Sequence, residues 1–314
     1  TNVNASSTSR GFVSAGRDLA DIFATSTGNV DGTGTACYLP VWSDSDTIGN
    51  SIACESTSLL SVGGALSAHK FCTSDSYNNQ KWGYNALASN TTGEFNNAIG
   101  RYALGNNTTG CYNNAMGPFA LQYNTTGCYN TAIGQQALYT SLSGSHNFAT
   151  GQYALYSNWG GCHNTAIGQN ALYTNTTGNC NTAIGGYGLY LNTTGCNNTA
   201  IGASALGTNT TGAYNNALGR DALVSNTTGC DNNAMGSYVL YGNTTGKYNT
   251  ALGQNALYGS LSGDHNFAAG RCALYNNWGG SNNTAIGSSA LKANTTASHN
   301  AAIGASALAD NTTG

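Results

Sequence analysis

The sequence has little charge and almost no proline. Of its 314 residues, 2 are Pro and 7% are Asp, Glu, Lys or Arg, whereas charged residues make up about 25% of an average soluble domain. So few ionisable side chains leave little material for acid–base catalysis or metal binding. The sequence also contains no nucleotide-binding loop, nucleophile elbow or paired-carboxylate motif. We therefore expect that the chain is not an enzyme, with no catalytic residues, no metal and no cofactor.

The missing charge also limits the partners. With 9 Lys and Arg and a formal net charge of -3, the chain offers no basic surface for nucleic acid or for anionic lipid. No apolar run approaches the roughly 18 to 20 residues that span a membrane. We expect neither nucleic-acid binding nor membrane insertion.

Glycine and asparagine, by contrast, are abundant and follow a repeat. From Gly83 to Gly304 a glycine recurs every 17 residues, in fourteen units without a slip. With this glycine as position 0, Asn stands at -4 and Leu at +4 in all fourteen units, and Gly stands at +10 in all but one, where Ala297 replaces it. The unit reads N-[NT]-A-[IML]-G-x-x-A-L-x-x-N-T-T-G-x-x. Uninterrupted repetition predicts a stack of identical coils.

The sequence also contains a longer repeat, made of several 17-residue units. Ser141 to Gly161 and Ser260 to Gly280 share S-L-S-G, H-N-F-A and N-W-G-G and are 119 residues apart, which is seven units. The array therefore grew by duplication of a seven-unit block.

The unit length predicts an all-β fold, a parallel β-solenoid of the β-helix or β-roll type. Seventeen residues is too short for a strand-plus-helix repeat but close to the roughly 18 residues of a hexapeptide β-helix coil. We expect N-[NT]-A-I-G to form a strand, x-x-A-L-x to form a second strand or a helical turn, and the glycines at 0 and +10 to adopt positive φ. The Asn at -4 would stack as an amide ladder. At about 4.8 Å per coil, fourteen coils make a rod of roughly 65 to 70 Å.

The apolar residues bear on assembly. Each unit offers Ala-Ile and Ala-Leu as adjacent pairs, and adjacent residues of a strand point to opposite faces. One apolar face would fill the coil and the other would meet another chain. In the alternative, turns bring both large residues into one monomeric core.

Residues 1–78 lack the 17-residue period, so we predict an N-terminal attachment or capping module at 1–78 and the solenoid at 79–314. Within the module we expect a short helix from Arg17 to Phe23 and strands at Ala36–Val41 and Thr47–Ala53. The last unit is as regular as the inner ones, so we also expect the rod to continue past residue 314 or to dock on another subunit.

The repeat resembles that of a known class. The unit from Asn164 to Gly178, N-T-A-I-G-Q-N-A-L-Y-T-N-T-T-G, resembles long arrays in tail-fibre and structural proteins of bacteriophages, including marine and cyanobacterial phages. The segment between Asn29 and Ile52 looks like one that those fibres carry before their repeats. The A-I-G core is also similar to the β-roll heads of trimeric autotransporter adhesins. The resemblance implies a fibre on a virion or outside the cell, built as a homo-oligomer such as a trimer or as a head-to-tail polymer.

Five of the ten cysteines occupy one register of the repeat, one residue after the +10 glycine: Cys111, Cys128, Cys162, Cys196 and Cys230. Cys111 and Cys128 are one coil apart, so their Cα atoms would lie about 5 Å from each other, within disulfide range. Cys180, one register off, would be able to meet Cys162 or Cys196. We expect disulfides, with buried free thiols as the alternative. Because no C-x-x-C pair exists, zinc is weakly supported.

The N-T-T corner is a formal N-glycosylation acceptor. It occurs at ten positions: Asn90, Asn107, Asn124, Asn175, Asn192, Asn209, Asn226, Asn243, Asn294 and Asn311. Asn and Thr are also good turn residues, and in the alternative interpretation the triplet caps each corner. A secreted fibre would favour the glycan, and a phage protein made in a bacterium would favour the turn.

Aromatic residues add a further hint. Tyr recurs at +5, and four histidines share one register, which favours stacking between coils. An aromatic stripe would also be able to bind a cell-surface glycan. The leading function is thus a rigid, non-enzymatic fibre shaft that supports attachment. The alternatives are a secreted, N-glycosylated, self-assembling filament or adhesin and, less favoured, an ice-binding protein.

Overall fold

The computed structural model describes residues 77–313 and four two-residue strands that precede them. The chain divides into two units, Thr1–Phe71 and Cys72–Gly314. In the first unit the strands form two antiparallel pairs: β1 (Val13–Ser14) with β2 (Arg17–Asp18), and β3 (Val41–Trp42) with β4 (Ile48–Gly49). The expected helix is wrong at its start, because Arg17–Asp18 is a strand. The remainder of the predicted module at 1–78 lies largely outside the described residues.

The second unit is one parallel sheet of fourteen strands in chain order. Partner residues are 17 apart, as in Thr165 beside Thr182 and Ile167 beside Ile184. This confirms the predicted parallel β-solenoid. The strands are β5 (Gln80–Trp82), β6 (Asn97–Ile99), β7 (Asn114–Met116), β8 (Thr131–Ile133), β9 (Phe148–Thr150), β10 (Thr165–Ile167), β11 (Thr182–Ile184), β12 (Thr199–Ile201), β13 (Asn216–Leu218), β14 (Asn233–Met235), β15 (Thr250–Leu252), β16 (Phe267–Ala269), β17 (Thr284–Ile286) and β18 (Ala301–Ile303).

The rest of each coil consists of turns. Position +4, expected in a second strand or a helical turn, is left-handed throughout: Leu172 has a φ of 52°. Positions +2 and +12 are left-handed as well, as at Asn170 and Cys180. These segments still bond to their neighbours, because the Leu172 N–H donates to the Gly188 carbonyl of the next coil at 2.9 Å. Among the described residues, no helix is long and apolar enough to cross a membrane.

Glycine occurs at positions 0 and +10 of the repeat for different physical reasons. At position 0 the expectation of positive φ is confirmed, since Gly168 has a φ of 133°. At +10 it is wrong, because none of these glycines between residues 93 and 280 has a left-handed φ. A Cβ on Gly178 would instead lie 2.4 Å from the Gly195 carbonyl oxygen and 2.4 Å from the Asn175 Oδ1 atom. Glycine is favoured at +10 because the neighbouring coil and a buried amide approach the backbone closely; Ala297 is the exception.

The core is narrow and built from Ala and Leu. Ala166 at -2, Ala171 at +3 and Leu172 at +4 are all 0% exposed, whereas Ile167 at -1 is 37% exposed. The left-handed turn at +4 directs Leu inward, and the strand's alternation directs Ile outward. The alternative that placed both large residues in one core is therefore wrong.

Candidate functional site

An asparagine ladder runs through the interior at position -4. The Asn181 backbone N–H donates to the Asn164 Oδ1 of the coil below at 2.9 Å, and the Asn181 Nδ2 donates to the Gly195 carbonyl of the coil above at 2.8 Å. The same pair of bonds recurs along the stack from Asn96 to Asn283. This confirms the predicted amide ladder and shows that it links each coil to both neighbours.

A second asparagine ladder runs at +7, the first residue of the N-T-T corner. Asn192 donates from Nδ2 to the Asn175 Oδ1 at 2.7 Å and to the Gly195 carbonyl at 3.0 Å. Asn175 and Asn192 are both 0% exposed. Both ladders thus converge on the carbonyl at +10, which belongs to a glycine in every unit except that of Ala297.

This second ladder bears on the predicted glycosylation. A glycan would attach to Nδ2. At eight of the ten sites, Nδ2 donates two hydrogen bonds in the interior of the rod and the residue is 0% exposed. These eight residues are Asn107, Asn124, Asn175, Asn192, Asn209, Asn226, Asn243 and Asn294. The folded coil leaves no space for a glycan at these eight positions, so the geometry supports the turn interpretation there. Asn90 and Asn311, in the outermost coils, are partly exposed, and glycosylation stays a prediction for them.

The +7 ladder has a gap in each block. Ser141 and Ser260 stand where the other coils have Asn, and both are buried. The Oγ atoms of both serines have no hydrogen-bond partner, and neither do the Oδ1 atoms of Asn124 and Asn243 below them. A serine is too short to reach the amide of the coil below.

The five cysteines of one register form part of a third ladder, at +11. Their Sγ atoms accept the backbone N–H of the preceding coil, as from Cys111 to Cys128 at 3.2 Å and from Asn179 to Cys196 at 3.3 Å. Ser, Asn and Asp do the same in other coils, as Asn179 does for Cys162. Sulfur here takes the place of a short polar acceptor.

The expected disulfides are not found among the described residues. Cys111, Cys128, Cys162, Cys180 and Cys196 are free, as are Cys230 and Cys272. Because Asn179 lies between the coils of Cys162 and Cys196, these two thiols are not neighbours. The alternative of buried free thiols holds in that these seven thiols are free, but they are not buried: Cys180 is exposed and the other six are partly exposed. Cys37, Cys54 and Cys72 lie outside the described residues.

Aromatic rings stack in columns along the rod. At +12 the rings of Tyr112, Tyr129, His146 and His163 follow one another at centroid distances of 4.8 to 5.0 Å. At +5 the expected tyrosine stripe is present, for example Tyr156 on Tyr173 at 4.9 Å. Residues 77–313 contain no group of three or more His, Cys, Asp or Glu placed to share a metal ion.

One tyrosine of the stripe has a strongly shifted pKa. Burial, together with a side-chain hydrogen bond to Tyr123, raises the pKa of Tyr139 to about 12. Burial also raises the pKa of Tyr173. Tyr139 and Tyr173 therefore keep their hydroxyl protons well above neutral pH.

The outward side of the sheet, which we call the outer face, consists of positions -3 and -1 of the strands. From Asn97 to Ile303 it contains no charged residue. The -1 row is apolar in most coils, and the Ile and Met side chains at Ile99, Met116, Ile133, Ile184, Ile201, Met235 and Ile286 are 37 to 50% exposed.

In two coils the large residue of the outer face stands at -3 and the small one at -1, the reverse of the common arrangement. Most strands carry a small or polar residue at -3 and a large apolar one at -1, but β9 carries Phe148 and Thr150, and β16 carries Phe267 and Ala269. Both phenylalanines are exposed, at 40% and 36%. The signal was present in the sequence as F-A-T and F-A-A in place of T-A-I.

Comparison with the models of known protein families, with curated proteins and with solved structures finds no match for this chain.

Proposed function

We propose that the chain is a non-enzymatic structural protein, the rigid shaft of an extracellular or virion tail fibre that supports attachment. The observation that carries the proposal is the unbroken stack of coils, joined through the interior by two asparagine ladders. Such a stack is compatible with a structural fibre, because each coil is bonded to both neighbours without an intervening loop.

The ladders give the stack axial rigidity. Each regular coil adds buried side-chain hydrogen bonds to both neighbours, such as those of Asn181 and the one from Asn192 to Asn175. Each bond contributes about 0.5 to 1.5 kcal/mol net, and a broken one leaves a buried polar group unpaired. Bending the rod would break bonds in several coils at once, so a stiff spacer is the physically supported role.

The second candidate is a secreted filament or adhesin that binds a cell-surface glycan. The specific observation is the exposure of aromatic rings, with Tyr214 at 59% and Trp159 and Trp278 at 55%. Flat exposed rings are suitable for stacking on sugar rings. Glycan-array binding that is lost in a Trp159→Ala, Trp278→Ala double variant would favour this candidate.

The experiment for the shaft is electron microscopy of the purified chain and of a variant without residues 160–278. This deletion removes 119 residues, seven whole coils, and keeps the repeat in phase. We expect straight rods that shorten by about 34 Å at constant width. Gold-labelled antibodies against the coils should mark the outside of the particle or cell that carries the protein. Curved or globular particles, or labelling confined to the cell interior, would contradict the proposal.

A further inference from the structure

Two of the free thiols lie in neighbouring coils and in the same register. Among the five cysteines at +11, only Cys111 and Cys128 are one coil apart. The other three, Cys162, Cys196 and Cys230, have Ser, Asn, Ala or Lys in this register on either side. Both members of the pair are partly exposed. The +11 ladder thus presents one dithiol that solvent can reach.

The two thiol side chains make the same bonds. Each Sγ accepts a backbone N–H from the preceding coil, from Glu94 to Cys111 at 3.4 Å and from Cys111 to Cys128 at 3.2 Å. Each thiol also donates to the carbonyl two residues before it, at 3.3 Å for Cys111 and 3.5 Å for Cys128. Because one set of bonds recurs one coil later, the two sulfur atoms are about one strand spacing apart, about 4.8 Å.

This spacing is too long for a disulfide and suits a bridging atom. Cβ atoms joined by a disulfide are about 3.5 to 4.5 Å apart, whereas side chains in register in neighbouring coils stay about 4.8 Å apart. The asparagine ladders beside the pair hold the coils at this distance. A zinc–thiolate bond is about 2.3 Å long, so two bonds of this length in a straight line span about 4.6 Å. The distance between coils therefore matches a sulfur–metal–sulfur bridge.

The number and the type of ligands select the cation. Thiolates bind soft cations such as Cu(I), and they also bind zinc. A structural zinc site takes four protein ligands, but residues 77–313 place no third His, Cys, Asp or Glu beside this pair. Cu(I) has a closed d shell and forms linear complexes with two thiolates. The dithiol is therefore suited to a soft, two-coordinate, monovalent cation.

The backbone stabilises the charge that such a complex carries. Two thiolates and one monovalent cation leave one negative charge on the two sulfur atoms. The N–H groups of Glu94 and Cys111 already donate to these sulfurs. Hydrogen bonds to a ligating atom orient it and offset its charge. The two ligands are thus held at the required separation before the metal binds.

We infer that Cys111 and Cys128 form a binding site for Cu(I), which bridges two neighbouring coils through both sulfur atoms. Binding forms two Cu–S bonds and breaks two S–H bonds; both protons pass to solvent, and no electron is transferred. The inference goes beyond the shaft and departs from the expectation that the chain binds no metal. The stack itself does not need sulfur here, because Ser, Asn and Asp accept the same N–H in other coils.

The first test measures Cu(I) binding to the full, reduced chain under nitrogen, in competition with bicinchoninate. Every variant carries Ser in place of Cys37, Cys54 and Cys72, so that only the thiols of the coils remain. Cys128→Ser removes one ligand and suits the fold, because Ser occupies this register in other coils. The matched control is Cys196→Ser, which removes an isolated thiol that also accepts an N–H from the preceding coil. Circular dichroism establishes that all variants are folded.

We expect one tightly bound Cu(I) per chain in the parent and in the Cys196→Ser control. Loss of a group beside a metal ligand lowers affinity by 10- to 100-fold, so loss of a ligand in Cys128→Ser should lower it at least about tenfold. Equal affinities of the Cys128→Ser and Cys196→Ser variants would overturn the inference. So would a parent chain that fails to compete with bicinchoninate. A straight rod that binds no Cu(I) leaves the proposed shaft intact, so the two proposals fail separately.

The second test builds the same pair in the other seven-coil block. Cys230 stands 119 residues after Cys111, and Lys247 stands 119 residues after Cys128. Lys247→Cys should therefore create a second dithiol and raise the stoichiometry from one Cu(I) to two. Lys247→Ser is the matched control and should leave it at one. A Lys247→Cys variant that is folded but gains no site would show that the spacing of coils does not suit the metal.

The third test examines the geometry of the bound metal. X-ray absorption at the copper edge should show two sulfur neighbours and no nitrogen or oxygen at bonding distance. Mass spectrometry of the metal-free parent in a glutathione redox buffer should find Cys111 and Cys128 without a bond between them. Three or more ligands at copper, or complete formation of a Cys111–Cys128 disulfide, would contradict the inferred bridge.

Discussion

The gaps at Ser141 and Ser260 allow a direct test of whether the +7 asparagine ladder stabilises the coils, because an introduced Asn would fill each gap. Substituting Ser141→Asn introduces an amide whose backbone setting matches that of regular coils, since the Ser141 N–H donates to the Leu138 carbonyl as the Asn175 N–H does to Leu172, both at 3.3 Å. The new amide should donate to the Asn124 Oδ1 and the Gly144 carbonyl, and should accept from the Asn158 Nδ2. Three buried bonds would form where two polar atoms are now unpaired.

The expected gain follows from these bonds. Each contributes about 0.5 to 1.5 kcal/mol net, and pairing a buried orphan acceptor recovers roughly 1 to 3 kcal/mol. Ordering a longer side chain costs about 1 kcal/mol. We expect a stabilisation of about 1 to 3 kcal/mol at each site. The sites are seven coils apart, so Ser141→Asn and Ser260→Asn should be additive.

The assay is native-state hydrogen exchange, because repeat arrays do not unfold in one step. Amides in the coils beside Ser141 should exchange about 5- to 150-fold more slowly in the Ser141→Asn variant. The control is Asn175→Ser in a regular coil, which removes the bonds to Asn158 and Gly178 and should accelerate local exchange by a similar factor. Unchanged exchange in both variants would refute the claim that the amide ladder holds the coils together.

Three further predictions concern the core, the close approach of coils and pH. Leu172→Ala should cost about 2 to 4 kcal/mol, because Leu172 is fully buried and its neighbours in the ladder prevent collapse; an unchanged melting temperature would contradict this. Gly178→Ala should destabilise the array by roughly 3 kcal/mol through its clash with Gly195, whereas Gly186→Ala, with only the Gln169 carbonyl at 3.8 Å, should be nearly neutral in thermal melts. Burial raises the pKa of Tyr139 to about 12, so the protonated side chain should stabilise the fold fully below pH 10, and this stabilisation should be lost as pH rises from 10 to 12. In denaturant titrations over that range, the Tyr139→Phe variant should lose less free energy of unfolding than the wild type.

The sequence was sufficient to predict the solenoid, its period and the ladder at -4. These features depend on repetition: a residue type that returns every 17 positions must stack on itself, and an uninterrupted period excludes inserted loops. The sequence was not sufficient to place Leu172, because leucine is unfavourable in the left-handed conformation and nothing local marks that turn. The choice between one core and two apolar faces depended on that turn.

For the corner asparagine, the sequence leaves a glycosylation acceptor and a turn residue open as alternatives, because N-T-T matches both. A signal for an interior position is nevertheless present. Asn158 and Asn277 persist in N-W-G-G, where the Thr residues of the acceptor are lost. Retention of Asn without its Thr indicates an interior role. The +10 glycine was likewise assigned to a positive φ, but its cause is the packing between coils, which no single unit contains.

The most direct test of the account is X-ray fibre diffraction from aligned rods. The strands of the sheet lie side by side in chain order, so they run across the rod and stack along it. The account predicts a strong meridional reflection at about 4.8 Å. An equatorial 4.8 Å reflection, or none at this spacing, would contradict a shaft built from stacked 17-residue coils.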